Sequence, residues 1–261
     1  MRIIYELNPP KIFNEENTIN YNNINQEIDK FVIRTNTILE YVDCIHITDS
    51  VLGIPRISSI HGAAIILENI KNKDITLSCS VRTRDRNISS IIQFVTQAIF
   101  LKIKDLLFIM GDKPQIELNS KPLQTLSKPT DTINMLNSFG YNKLINLNLS
   151  VPNKILKVND FEKKINSNPH GLITQSINSL KEIKELNNLI KSHPIKLIPC
   201  VMVPSIKNLK AAKMIGLDWE ENKSNFIEFI KEIRKYAENV LISSPNDFNE
   251  GVRVLKELKN I

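Results

Sequence analysis

Glu6, Thr48, Arg82, Asp112 and Gln175 each stand where a short apolar, strand-like run stops, in a chain of 261 residues. Glu6 ends Arg2-Ile3-Ile4-Tyr5, and Thr48 ends Cys44-Ile45-His46-Ile47. Arg82 follows the run from Ile75 to Val81, Asp112 follows Leu106 to Gly111, and Gln175 ends Leu172-Ile173-Thr174. A glutamate among apolar walls has a raised pKa and can act as a general acid near neutral pH. A glutamate that caps or pairs with an arginine is the structural alternative. Asp112, in Gly111-Asp112-Lys113-Pro114, puts a charge in a tight turn. Gln175 offers a donor and an acceptor, which suits the edge of a heterocycle, or else it is a buried structural amide. Arg82, Arg84 and Arg86 precede a helix start and form an anion-binding candidate, against the alternative of a solvated run paired with Asp85.

Elements that could hold these residues alternate along the chain. Strands are predicted at 2–6, 42–48, 75–81, 105–110, 144–149, 171–174, 195–201 and 239–243. Amphipathic helices are predicted at 23–41, 57–72, 87–102, 127–139, 160–168, 177–192, 206–216, 223–238 and 246–259. Eight strand–helix units describe a single α/β domain, a (β/α)8 TIM barrel spanning 1–261, and about 250 residues is the usual size of that fold. In such a barrel the polar residues at the carboxyl ends of different strands converge on one mouth. Ser205 is an N-cap candidate, Gly140 a left-handed cap, and Pro245 with Asp247 opens the last helix. The proline-punctuated stretch 113–126 reads as a long loop after strand four, a candidate lid.

Composition narrows the class. No run approaches the roughly 20 apolar residues of a membrane helix, and the N-terminus begins as a strand rather than a signal peptide. The expectation is a soluble cytoplasmic protein with no membrane partner. The net charge of +6 comes from lysines scattered along helices, without aromatic interleaving, which argues against nucleic acid. Cys44, Cys79 and Cys200 lie in separate strand candidates, as reduced buried thiols would. No HExxH motif is present, so no metal is expected, and no GxGxxG phosphate loop is present.

In order, Glu6-Leu7-Asn8-Pro9-Pro10, Ile47-Thr48-Asp49, Arg84-Asp85-Arg86-Asn87, Gly111-Asp112-Lys113-Pro114 and Ile173-Thr174-Gln175 resemble the methylenetetrahydrofolate reductase family. Ile198-Pro199 and the segment Asn208 to Lys213 extend the resemblance. It implies hydride transfer from NADH or NADPH through FAD to 5,10-methylenetetrahydrofolate or a modified pterin, within one-carbon metabolism and methionine biosynthesis. It further implies Glu6 as general acid, Asp112 between flavin and pterin, and Gln175 and Leu209 on the substrate. Thr48, Ser80, Arg82, Arg84 and Lys164 would face the flavin, with Ser80 standing where the family has a histidine. Such departures on the flavin side leave two variants open: a flavin-independent reductase, and a non-catalytic or partner-dependent folate-binding subunit. A homo-oligomer or a partner subunit is possible under each.

Overall fold

A computed structural model describes residues 1–13, 19, 21–70, 75–113, 128–152, 158–219 and 225–259. Its eight strands are β1 (Arg2–Leu7), β2 (Cys44–Ile47), β3 (Leu77–Arg82), β4 (Asp105–Ile109), β5 (Asn146–Val151), β6 (Gly171–Ser176), β7 (Lys196–Met202) and β8 (Asn239–Ser243). They form a closed parallel barrel in chain order, the (β/α)8 fold that the alternation of strands and helices implies. Every residue of β2, β3 and β8 is buried, because a barrel strand is covered by side chains within and by helices without. Residues 114–126 of the expected lid loop, Pro114 among them, lie outside the described residues.

The chain divides into two compact units. The first takes residues 1–6, 38–45 and 148–261, and holds the consecutive pairs β5–β6, β6–β7, β7–β8 and β8–β1. Its helices are α5 (Val158–Asn166), α6 (Leu180–Ile190), α7 (Leu209–Met214), α8 (Phe226–Ile233) and α9 (Phe248–Lys259). The Tyr5 ring meets Phe248 of α9 edge-on, with centroids 6.4 Å apart. A Cβ at Gly251 would lie 2.1 Å from the Tyr5 hydroxyl, so glycine is what lets α9 approach β1. Tyr5 therefore points outward to the helices, and strand alternation turns Glu6 to the barrel interior. The ladder shifts register between Ile173 and Ser176, where Thr174 Oγ1 accepts the Cys200 N–H at 2.9 Å.

The second unit takes residues 7–37 and 46–147. It contains α1 (Tyr21–Ile38) up to residue 37, α2 (Ser59–Asn69), α3 (Ile88–Phe100) and α4 (Pro129–Ser138). Ser58 and Asn87 cap α2 and α3 by accepting the His61 and Ser90 N–H groups, which starts each helix one or two residues inside its predicted range. Gly140 takes φ 79° after α4, the left-handed cap anticipated for it. Ile47 lies against Gly62 of α2, and the Cys79 thiol contacts the Ser59 carbonyl of the same helix. Alternation then directs His46, Ser78 and Ser80 inward. All three cysteines are buried, and none forms a disulfide.

Candidate active site

Glu6 approaches the carboxyl end of β1 beside Ser243, the last residue of β8. Tyr5 pairs in register with Ile242, so the next step along both strands sets these two side by side. The Ser243 hydroxyl donates to Glu6 Oε1 at 2.7 Å. Burial holds the Glu6 carboxyl above the usual carboxylate range, and the Ser243 bond only partly opposes this. The Cys200 thiol of β7 is pushed up, chiefly by burial and then by the Glu6 charge, while its contact with Ser176 opposes the rise. The result is a half-buried carboxyl group with one hydroxyl donor, flanked by a protonated thiol. A carboxyl group raised in this way is a better proton donor to a substrate atom than an exposed glutamate.

Lys164 of α5 extends its ammonium to the Ser150 carbonyl near the carboxyl end of β5, at 2.6 Å. Burial lowers its pKa, against the pull of Asp160. Gln175 is exposed at the register shift of β6, which excludes the buried-amide alternative. Leu209, the first residue of α7, is 43% exposed. Just before it, Asn208 is fully buried: its amide donates to the Val203 carbonyl and to Ser244 Oγ, and its Oδ1 accepts the Asn246 N–H. The anticipated cap Ser205 accepts the Asn208 N–H at 3.2 Å, so it closes the turn before α7 and does not begin the helix itself.

In the second unit, Arg82 and Arg84 are consumed by backbone. Arg82 donates to the carbonyls of Ser50 and Asp112 and pairs with Asp85 at 2.6 Å, and Arg84 donates to the Gly111 carbonyl. A Cβ at Gly111, whose φ is 83°, would lie 2.9 Å from Arg82 Cγ and Nε, so the glycine leaves room for the guanidinium. The Asp112 carboxylate accepts the N–H of Leu52, a residue held at φ 59°. Asp49 is buried against Arg86 at 2.8 Å, and that guanidinium lies over the Phe94 ring. The Thr48 hydroxyl donates to Asn8 Oδ1. These bonds tie together the loops after β2, β3 and β4. They are positional contacts, and the arginine run is neither a solvated surface nor a set of free anion donors.

Behind the loops, His46 is buried between two serines, with Nδ1 2.8 Å from Ser78 Oγ and Nε2 2.9 Å from Ser80 Oγ. Burial lowers its pKa to about 4, so the ring is neutral at physiological pH. The sequence alone singles out neither Ser243 nor Ser78, marks Cys200 only as a buried thiol, and gives no sign that Ser80 bonds His46. Ser243 was within reach, because it too is a polar residue ending an apolar run, Val240-Leu241-Ile242. Among the described residues, no group of three or more His, Cys, Asp and Glu is placed to hold a metal ion, and no helix is long and apolar enough to cross a membrane.

No family model matches the chain, and neither does any curated protein. Its backbone is similar to solved structures of other barrels. One, described as CdNal from Clostridium difficile in complex with mannosamine, is 14% identical over 99% of this chain and 75% of its own, with a TM-score of 0.53. N-acetylneuraminate lyase from Fusobacterium nucleatum is 14% identical over 99% of this chain and 74% of its own, at 0.52. A catalytic lysine mutant of sialic acid aldolase from Ruminococcus gnavus is 12% identical over 92% of this chain and 66% of its own, at 0.51. Identity this low is a likeness of fold. These findings overturn the resemblance to the methylenetetrahydrofolate reductases, since no reductase model matches and the neighbouring barrels are lyases and aldolases. The reductase activity, FAD, NADH or NADPH, the folate or modified-pterin reading and its partner-dependent variant, and the place in one-carbon metabolism are withdrawn with it. The physical reason is that short polar motifs at strand ends arise from the barrel itself, and several of these side chains serve the loops.

Proposed function

We propose that the barrel is a proton-transferring enzyme of the lyase class, with Glu6 as its acid and a small carbonyl compound as its substrate. The observation that carries this is the Glu6–Ser243 pair, a half-buried carboxyl group at a strand end whose pKa burial raises above the usual carboxylate range. In its protonated form Glu6 donates its proton to the oxygen or carbon that gains negative charge when a bond beside the carbonyl breaks. The carboxylate left behind recovers a proton from water or from the next substrate. Ser243, by donating to that carboxylate, limits the cost of the charged state. The barrels this chain is similar to include a lyase and an aldolase, which favours bond cleavage as the reaction although the likeness is one of fold.

Lys164 favours a particular form of this chemistry. Burial lowers the Lys164 pKa, and the neutral form of an amine can add to a carbonyl and, with loss of water, form an imine. The test is incubation of the protein in heavy water with a panel of 2-oxo acids, N-acetylneuraminate among them. NMR then follows deuterium entering beside the carbonyl. Glu6→Gln should slow exchange about 10²-fold, the scale of general acid–base catalysis. Equal rates in the two proteins would remove Glu6 from the reaction. Borohydride trapping with peptide mass mapping tests Lys164 separately: a reduced adduct on that residue supports the imine route, and an unmodified residue ends it.

A further inference from the structure

The segment that follows β7 presents a surface of unusual make-up. Ile206 is 93% exposed, Met214 61% and Leu209 43%, and they line a groove of about 540 Å³ together with Lys210 and Lys213. Lys207, on the same stretch, already pairs with Asp247. Among the described residues, neither Lys210 nor Lys213 has an acidic partner. The back of the segment is fixed. Ala212 packs with Met202, Leu217 and Trp219, and buried Asn208 is bonded to both flanking loops. The exposed side is thus an apolar groove edged by cations on a fixed backing, and little ordering remains to be done when a partner arrives.

The geometry points to this groove as a docking site for an acidic amphipathic helix of a partner protein. Leucine-like side chains on such a helix would cover Ile206, Leu209 and Met214, and its carboxylates would meet Lys210 and Lys213. Charge decides against a second copy of this chain, which would bring a net +6 of its own to the contact. The surface is independent of the proton transfer assigned to Glu6, so either reading can fail without the other.

The test uses the full chain and a dye-labelled synthetic peptide with leucine and glutamate at helical spacing. A scrambled peptide of equal composition, phosphatidylglycerol vesicles, and sedimentation of the protein alone serve as comparisons. The expected result is binding of the amphipathic peptide at least about tenfold tighter than the scramble, weakening as salt rises. Lys210→Glu with Lys213→Glu, or Leu209→Asn with Met214→Asn, should each weaken it by about tenfold or more while leaving the thermal melt unchanged. Equal affinity for both peptides would overturn the proposal, as would unaltered binding by the variants. Preferential binding to vesicles would reassign the surface to lipid, and self-association abolished by the same variants would reassign it to a second copy; each also overturns the proposal.

Discussion

Glu6 carries opposing demands that can be separated by substitution. Its folded-state pKa lies above its unfolded value, so native protein binds the extra proton between the two and loses stability as pH rises through that window. Glu6→Gln removes the charge and keeps an oxygen for the Ser243 hydroxyl. The variant should melt higher than wild type at pH 8 while its proton-transfer rate falls about 10²-fold. A variant that melts lower in calorimetry would show that the carboxylate stabilises the fold. Gly111 makes a different demand, since alanine there meets both a positive φ and the Arg82 side chain. Gly111→Ala should cost about 1–3 kcal/mol in urea titration, with Arg82 and the Ser50 carbonyl displaced.

The link between β7 and α7 rests on one side chain at the scale of elements. Asn208 makes three buried bonds that no alanine could replace, to Val203, Ser244 and Asn246. Asn208→Ala should therefore destabilise the protein by roughly 2–4 kcal/mol, and hydrogen exchange should quicken in 203–208 and 244–247 ahead of the strands. The alternation of strands and helices was legible because each strand is an apolar run of a few residues and each helix repeats its apolar face. What could not be read is how the turns are satisfied. Ser205 has the right residue type for a cap, but its hydroxyl closes a turn one step earlier, and Asn208 is withdrawn into the core. The register shift in β6 depends on Thr174 replacing a ladder bond, which no local pattern announces.

For the whole molecule, acid should weaken the fold through His46. Its folded pKa of about 4 lies below the 6.5 of an unconstrained imidazole, so the unfolded chain binds the extra proton in that interval. Stability should fall by about 3 kcal/mol as pH drops from 6.5 to 4, and urea titrations of His46→Asn should lack that part of the slope. Glu6 works in the opposite direction, since its protonation relieves a buried charge. The fold class was legible in the sequence, whereas the chemistry was not. Polar residues at strand ends mark a barrel mouth in general, and only coordinates separate Glu6, which keeps a titrating carboxyl, from Arg82 and Asp112, which bind backbone.

The seating of α9 on β1 through Tyr5, Phe248 and Gly251 also fixes when the molecule can finish folding. The bond from Ser243 to Glu6 spans 237 positions of sequence. On a ribosome, where synthesis runs at about 5–20 residues per second, β1 must wait many seconds with one edge uncovered before β8 emerges. Nascent protein that still lacks β8 and α9 would then expose Tyr5 and one edge of β1, a natural landing point for a chaperone.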